Sequence, residues 1–153
     1  MAESRLTASA SVFDFFKGNH VEPAVAVELR GPVVPPSWQS DTFLGFAPAL
    51  GILATGAESG FVYAMIDMPF VFGAEKNYEA SFSAGISAYE QGESALDMGG
   101  TAQFVLGASF SRGLANGHRV GLTVRHFSNA GLHGRNPGTD VIMAGWTVPF
   151  GQR

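Results

Sequence analysis

The sequence contains no cysteine, little charge and no long apolar run. Without cysteine, the chain forms neither disulfide bonds nor thiolate-ligated metal sites. Charged residues make up 14 % of the 153 residues, against roughly 25 % in an ordinary soluble domain. The net charge of −4 and the absence of a basic run argue against a nucleic-acid partner. A transmembrane helix needs about 20 consecutive apolar residues, and the most apolar stretch, residues 61–72, is interrupted by Asp67 and Pro69.

Apolar residues are nevertheless abundant, since 46 % of the chain is hydrophobic and 13 residues are Phe. This composition excludes disorder, because enough apolar surface is present to form a core. The length suits one domain, which we predict over residues 1–153. The first five residues lead into alternating sequence and not into the apolar core of a signal peptide. We therefore expect an exported protein to be present as its mature form with an initiator Met.

Apolar side chains recur at every second position through most of the chain. Around Phe82 and Ile86, for example, apolar residues alternate with Ser and Gly. A period of two is that of a β-strand with one apolar and one small-polar face. No segment sustains the helical period of 3.6. The pattern predicts eight strands, at residues 5–12, 25–30, 42–53, 61–72, 78–89, 101–111, 119–128 and 141–150.

Proline and glycine indicate where this pattern is interrupted. Pro48 and Pro69 each remove a backbone donor, so we expect a bulge or an edge-like position at each of them. Asn116-Gly117 is a strong signal for a tight hairpin turn. The Pro-rich residues 31–38 are interpreted as an irregular turn and not as a domain linker.

Eight antiparallel strands can close into a barrel whose apolar face points either inward, as in a soluble lipid-binding barrel, or outward to lipid. The polar face consists mainly of Gly, Ser, Thr and Ala, which suits a narrow interior, whereas a solvated face would carry abundant Lys and Glu. The few charges within strands have both signs and can pair inside a lumen; they are Glu28, Arg30, Asp67, Glu79, Arg119 and Arg125. The sequence therefore predicts an all-β, eight-stranded antiparallel transmembrane β-barrel, with the soluble barrel as the alternative.

Two potentially catalytic side chains lie on the apolar face of the seventh strand. His126 and Ser128 are two residues apart and so neighbour each other on one face. A Ser hydroxyl becomes a nucleophile when a neutral His takes its proton, and the His needs a carboxylate to fix its tautomer. Asp140 begins the adjacent strand and can supply that carboxylate, while the turn Asn129-Ala130-Gly131 can present backbone N–H groups to an oxyanion. The alternative interpretation is an ordinary pair of interfacial residues.

The other histidines are predicted to be turn or loop residues, and no His, Asp or Glu cluster has the spacing of a metal site. They are His20, His118 and His133.

The segment Arg125-His-Phe-Ser-Asn-Ala-Gly-Leu132, followed by Asn136-Pro-Gly138, closely resembles the signature of the lipid A 3-O-deacylase (PagL) family. The resemblance is strongest from about Val120 onward and extends more loosely over the chain. Members of that family are eight-stranded outer-membrane barrels that hydrolyse the 3-position acyl ester of lipid A without a cofactor. The final strand, ending in Trp146, Val148 and Phe150, also resembles the C-terminal signature of outer-membrane proteins, although Gly151-Gln-Arg153 follows it.

The resemblance implies a role for each matching residue. Ser128 would be the nucleophile and His126 the base, with Asp140 at a position where the family has Glu. Because the side chain of Asp is shorter than that of Glu, the backbone must bring Asp140 closer to the imidazole of His126. Asn129, Gly131 and Asn136 would shape the loop or bind the oxyanion.

The resemblance further implies a location and partners. We expect the outer membrane of a Gram-negative bacterium, with lipid A (lipopolysaccharide) as substrate and outer-membrane lipid around the barrel. A periplasmic N-terminus would place residues 129–139 outside the cell and make residues 31–41 an unusually long periplasmic turn. A homodimer is a further possibility that the sequence does not decide. The alternative function is that of a non-catalytic barrel with a structural or adhesive role.

Overall fold

The computed structural model describes residues 3–151, which form eight β-strands in one closed antiparallel barrel. The strands are β1 (Ser4–Phe13), β2 (Glu22–Arg30), β3 (Ala47–Thr55), β4 (Gly60–Phe72), β5 (Tyr78–Glu90), β6 (Ala102–Gly113), β7 (Arg119–Ser128) and β8 (Thr139–Phe150). Each strand pairs with its neighbour in the chain, and β1 pairs with β8 to close the barrel. The predicted eight-stranded barrel is confirmed. The predicted start of the mature chain and the tail at residues 152–153 lie outside the described residues.

The barrel has two ends, which we call the loop end and the terminal end. The connections at the loop end are residues 14–21, 56–59, 91–101 and 129–138, and those at the terminal end are residues 31–46, 73–77 and 114–118. The first and last described residues also lie at the terminal end. Within residues 3–151, no helix is long and apolar enough to cross a membrane.

The apolar face of the strands points outward, as the sequence predicts. Large apolar side chains that are 50 % or more exposed occur on the outer face of six strands; they are Val25, Leu50, Ile52, Val62, Ile66, Phe82, Ile86, Leu106 and Leu122. Small and polar residues at the alternate positions, such as Ser81 and Ser83, are buried in the lumen. An outward apolar wall is the arrangement of a membrane barrel and not of a soluble one.

Pro48 in β3 and Pro69 in β4 occupy edge-like positions, as predicted. The β2–β3 pairing covers residues 49–55 of β3, which leaves Pro48 outside it. The β3–β4 pairing covers residues 60–67 of β4, which leaves Pro69 outside that ladder. A residue without a backbone donor is tolerated at such positions because no ladder hydrogen bond is lost.

The predicted strand over residues 42–53 is wrong at its start, because β3 begins at Ala47. Residues 42–46 form only isolated bridges, one of which joins Val34 to Phe46. Gly45 has a φ of +132°, and a Cβ on it would lie 2.4 Å from the carbonyl oxygen of Val34. This close backbone approach bends the segment out of the regular ladder.

The lumen near the loop end is filled with large apolar side chains, which differs from the small-polar interior that the sequence suggests. Phe61 stacks on Phe127 with ring centroids 3.9 Å apart. The cluster also contains Phe13, Leu53, Tyr63, Met65, Tyr89, Met98, Val105, Val141 and Met143. Space for Tyr63 is made by Gly51, since a Cβ there would lie 2.1 Å from the Tyr63 ring. The difference arises because β3 and β4 are apolar on both faces, so their alternation does not reveal what points inward.

The rest of the lumen contains the charged residues in paired form, as expected. Arg30 donates to Asp67 at 3.0 Å and to Glu79 at 2.7 Å. Arg125 pairs with Glu28 at 3.0 Å. Arg119 is the exception among the predicted charges, because it donates to Ser111 and to the backbone of Asn77 and has no carboxylate partner within the described chain. Pairing of this kind makes burial of charge tolerable inside a narrow barrel.

Candidate active site

The adjacent strands β7 and β8 bring His126 and Asp140 together on the outer wall at the loop end. The two residues are direct partners in the antiparallel register. His126 Nδ1 and Asp140 Oδ1 are 2.8 Å apart, which is a short hydrogen bond. The His126 side chain is 42 % exposed and that of Asp140 is 20 % exposed. The pair is therefore open to the outside of the barrel and not to the lumen.

Direct opposition explains how an Asp reaches the imidazole. Side chains of opposite residues in an antiparallel pair stand about 5 Å apart on the same face. A short carboxylate therefore suffices at position 140, since no longer side chain is needed to cross the gap. The hydrogen bond occupies Nδ1 and leaves Nε2 of His126 as the second ring nitrogen.

Ser128 ends β7 two residues beyond His126, on the same outer face. Its hydroxyl makes no hydrogen bond within residues 3–151, so His126 is bonded to Asp140 but not to Ser128. Across the β6–β7 pairing, Phe104 lies opposite Ser128 and Leu106 lies opposite His126. Both of these apolar side chains are exposed on the outer wall.

Gly138 lies against the edge of the imidazole ring. A Cβ at this position would lie 3.2 Å from Cε1 and 3.6 Å from Nε2 of His126. Its φ of +62° is in the left-handed region that favours glycine. The sequence assigned no role to this residue, although it closes the Asn-Pro-Gly element of the resemblance. The structure shows a glycine that both turns the chain and leaves room for the histidine.

The β7–β8 loop is organised around Asn129, which is fully buried. Its side-chain amide donates to the carbonyl oxygens of Met98 and Arg135, and its Oδ1 accepts from the Gly131 N–H at 2.9 Å. The Asn129 N–H donates in turn to Asn136 Oδ1 at 3.0 Å. Asn129, Gly131 and Asn136 are thus joined in one hydrogen-bonded loop.

Ala130 differs from its two neighbours in the turn. Its φ of 51° places a residue with a side chain in the left-handed region. Its backbone N–H makes no hydrogen bond within the described part of the chain, whereas those of Asn129 and Gly131 are used. Of the three backbone amides predicted to face an oxyanion, only that of Ala130 makes no hydrogen bond within the described residues.

A buried acid at the start of the β1–β2 turn fixes that turn to the site, which sequence reasoning did not find. Asp14 is 1 % exposed and accepts a hydrogen bond from Thr139 Oγ1 at 3.0 Å. The Phe15 N–H donates to the backbone oxygen of Asp140 at 3.1 Å. Closure of the barrel between β1 and β8 creates this contact, so no local sequence signal reveals it.

The remaining histidines lie in turns or loops, as predicted. His118, at the terminal end, accepts a hydrogen bond from Trp146 Nε1 at 3.0 Å. His133 Nε2 is 3.3 Å from the carbonyl oxygen of Ala102, and the backbone N–H of His20 donates to Asp14. Within residues 3–151, no group of three or more His, Asp or Glu side chains is placed to hold a metal ion.

Comparison with known proteins links this geometry to a family. The family model for lipid A 3-O-deacylase (PagL) matches residues 13–149. No curated protein matches the sequence. Among solved structures, the crystal structure of the outer membrane enzyme PagL has a TM-score of 0.75 at 19 % identity, over 97 % of this chain and 100 % of that chain.

Two other solved barrels are also similar. Neisserial surface protein A has a TM-score of 0.61 at 10 % identity, over 97 % of this chain and 96 % of that chain. A de novo designed transmembrane β-barrel has a TM-score of 0.60 at 13 % identity, over 95 % of each chain. At these identities the structural likenesses show the fold, while the family model spans most of the chain and shows the family. The chain belongs to the lipid A 3-O-deacylase (PagL) family and is an outer-membrane ester hydrolase.

Proposed function

We propose that this chain hydrolyses the 3-position acyl ester of lipid A, with Ser128 as nucleophile, His126 as general base and Asp140 as the orienting acid. The observation that carries the proposal is the 2.8 Å hydrogen bond between His126 Nδ1 and Asp140 Oδ1 beside Ser128. A polar pair of this kind is unexpected on a lipid-facing wall and suits acyl transfer.

Asp140 determines which nitrogen of the imidazole acts as the base. Because its carboxylate accepts the hydrogen bond from Nδ1–H, the free electron pair is on Nε2. Nε2 takes the proton from Ser128 Oγ as that oxygen attacks the ester carbonyl carbon. Asp140 also stabilises the imidazolium that forms.

The loop supplies donors for the negative charge on the former carbonyl oxygen. The open N–H of Ala130 follows Ser128 by two residues, and the Asn136 side-chain nitrogen has no partner within the described chain. We assign these two groups to the oxyanion. Asn129 and Gly131 act instead through loop shape, because their amides are already used. Donors fixed before the reaction stabilise the intermediate without further rearrangement.

The intermediate collapses when the bond between the carbonyl carbon and the sugar oxygen breaks. His126 then gives its proton to that oxygen, and the fatty acyl group stays on Ser128 as an ester. In the second half, His126 takes a proton from water as the water oxygen attacks the acyl carbon. Release of the fatty acid returns the proton to Ser128 Oγ, so the cycle needs only water as a co-reactant.

The outer wall provides the route for the acyl chain. Phe104 and Leu106 flank Ser128 and His126 across the β6–β7 pairing and are exposed to lipid. A membrane lipid can therefore bring its ester to this site while the lipid itself stays in the bilayer. The loop end would then face the leaflet that contains lipopolysaccharide.

Substitution of the nucleophile or the base tests this proposal. We expect Ser128→Ala and His126→Ala to lower deacylation of lipid A about 10³-fold or more, because each removes an essential proton or electron-pair partner. The measurement is a mass spectrum of lipid A before and after incubation, which detects the loss of one 3-hydroxy acyl chain.

His118→Ala is the matched control, since it removes a histidine from the opposite end of β7 and β8. It should keep the parent activity, and circular dichroism should show a folded barrel for all variants. Parent-like activity in Ser128→Ala or His126→Ala would contradict the proposed roles. A folded parent that releases no fatty acid in any detergent would instead support a non-catalytic barrel.

A further inference from the structure

We propose that Lys17, in the β1–β2 turn, is a substrate-positioning residue whose ammonium group binds a phosphate of lipid A while the ester lies at Ser128. The inference rests on the proposed function and adds a second point of attachment for the substrate. It is carried by the position of Lys17 beside the site, by the charges around it and by its depth in the membrane.

The β1–β2 turn is firmly attached to the strand that carries Asp140. The Asp14 carboxylate accepts from Thr139 Oγ1 and from the His20 N–H, each at 3.0 Å. The Phe15 N–H donates to the backbone oxygen of Asp140 at 3.1 Å. Because Asp14 and Thr139 are both buried, the turn is held in a defined position relative to the site.

In space, a single residue, Gly138, lies between Lys17 and the proposed catalytic histidine, His126. Its Nζ donates to the carbonyl oxygen of Gly138 at 3.2 Å. Gly138 in turn faces the imidazole, since a Cβ there would lie 3.2 Å from His126 Cε1. An ammonium has three N–H donors, and one of them is used by Gly138. The carbonyl therefore orients the ammonium and leaves two donors for a ligand.

The charges at the loop end make Lys17 distinctive. The acidic residues at this rim are Asp14 and Asp140 on the side of the site, and Glu22, Glu58, Glu90, Glu93 and Asp97 around the rest of it. Arg135 is the other basic residue there, and it pairs with Asp97 at 3.1 Å. Lys17 makes no ion pair within the described chain. Lys17 is therefore the basic side chain at the loop end that no carboxylate neutralises within the described chain, and an anionic ligand is attracted to it.

The neighbouring aromatic residues indicate the depth of Lys17. Phe15 and Phe16 are 46 % and 62 % exposed, and their rings meet edge to face at 5.1 Å. Exposed aromatic rings at the end of a membrane barrel mark the interface between hydrocarbon and headgroups. A lysine extends its charged end toward the aqueous side of this interface. The ammonium thus lies at headgroup depth, directly beside the acyl-ester site.

Lipid A combines in one molecule the two groups that this arrangement would bind, an anion at Lys17 and an acyl ester at Ser128. It is an acylated glucosamine disaccharide whose sugars carry phosphate groups. A Lys ammonium binds phosphate as a point charge. With a phosphate at Lys17 and the acyl chains on the outer wall, the sugar would be oriented with its ester toward Ser128.

The experiment compares lipid A with the same lipid A after removal of its phosphates, using the purified full chain in non-ionic detergent. These micelles contain no other phosphate, so a dependence on phosphate comes from the substrate and not from a neighbouring lipid. For Lys17→Ala we expect the ratio of kcat/KM on phosphorylated to dephosphorylated substrate to fall about 10-fold, mainly through KM. Lys17→Glu should lower it about 100-fold, and Lys17→Arg should restore it to within about threefold of the parent.

Lys76→Ala is the matched control, because Lys76 is the other lysine and lies exposed at the terminal end. The ratio of kcat/KM on phosphorylated to dephosphorylated lipid A should be the same in Lys76→Ala as in the parent. An unchanged ratio in Lys17→Glu, or equal losses on both substrates, would overturn the inference and leave the proposed function standing. A folded parent that hydrolyses neither substrate would overturn the proposed function, and this inference with it.

Discussion

Asp140 lies where side-chain length and charge can be varied without rebuilding the site. Its carboxylate meets His126 Nδ1 at 2.8 Å from the directly opposite position on β8. Asp140→Asn keeps the size but loses the charge that fixes the tautomer and stabilises the imidazolium. We expect kcat on lipid A to fall about 10²–10⁴-fold. The measurement is the rate of fatty acid release at saturating substrate.

Asp140→Glu is the matched control for charge. We expect it to retain activity within about 10-fold of the parent, because an exposed outer wall lets the longer side chain bend to the same nitrogen. Parent-like kcat in Asp140→Asn would show that the hydrogen bond is structural and that His126 acts without an orienting acid.

The sequence could predict that His126, Ser128 and Asp140 lie on one face of two adjacent strands, for a geometrical reason. A period of two fixes which side chains share a face, and an antiparallel hairpin fixes which strands are neighbours. Gly138 and Asp14 could not be assigned in the same way. Their roles depend on which atoms approach them in the folded loop and across the β1–β8 closure.

The β7–β8 loop depends on one buried side chain for its shape. Asn129 donates to two carbonyl oxygens and accepts from the Gly131 N–H. Asn129→Ala would leave these buried groups without partners, at a cost of about 1–3 kcal/mol for a single unsatisfied group. We expect the loop to lose its conformation and lipid A deacylation to fall, while the barrel stays folded. Activity and circular dichroism of the same preparation measure the two effects.

Asn116→Ala serves as the control for this loop. Asn116 accepts from the His118 N–H in the exposed turn of the terminal end. Its removal also deletes a turn hydrogen bond, but far from the site, so activity should be unchanged. Equal activity of Asn129→Ala and Asn116→Ala would contradict a role of the Asn129 network in catalysis.

Elements as a whole were predicted well where the two faces of a strand differ in chemistry. The strand β5, which contains Phe82 and Ile86, has one apolar and one small-polar face, and the barrel orients it as expected. β3 and β4 are apolar on both faces, so the inward position of Phe61 and Tyr63 was not predictable. The start of β3 was also misplaced, because Gly45 bends the chain through a contact with Val34 that is distant in sequence.

At the scale of the whole molecule, the proposed active site lies on the outer wall of the barrel, whereas the side chains that hold the strands together lie in the lumen. Pairing of β1 with β8 brings the turn at residues 14–21 beside the loop at residues 129–138. The lumen contributes no catalytic group to the proposed mechanism. Its apolar cluster and its ion pairs instead hold the strands at fixed positions, so stability and activity should be separable by substitution.

Glu79 offers the clearest test of that separation. It accepts from Arg5 at 2.8 Å and from Arg30 at 2.7 Å, with its side chain only 6 % exposed. Glu79→Ala would leave two guanidinium groups in the lumen without this shared partner. Removing one member of a buried ion pair costs about 3–5 kcal/mol. We therefore expect a clearly lower Tm in detergent, measured by circular dichroism.

The same substitution should leave kcat on lipid A near the parent value at a temperature where the barrel is folded, because Glu79 lies toward the terminal end and the site at the loop end. Lys76→Ala is the control, since it removes an exposed pair with Asp41 and should not change the Tm measurably. An unchanged Tm in Glu79→Ala would show that the lumen charges do not stabilise the barrel. A loss of kcat in a barrel that is still folded would instead show that the lumen network is coupled to the site on the outer wall.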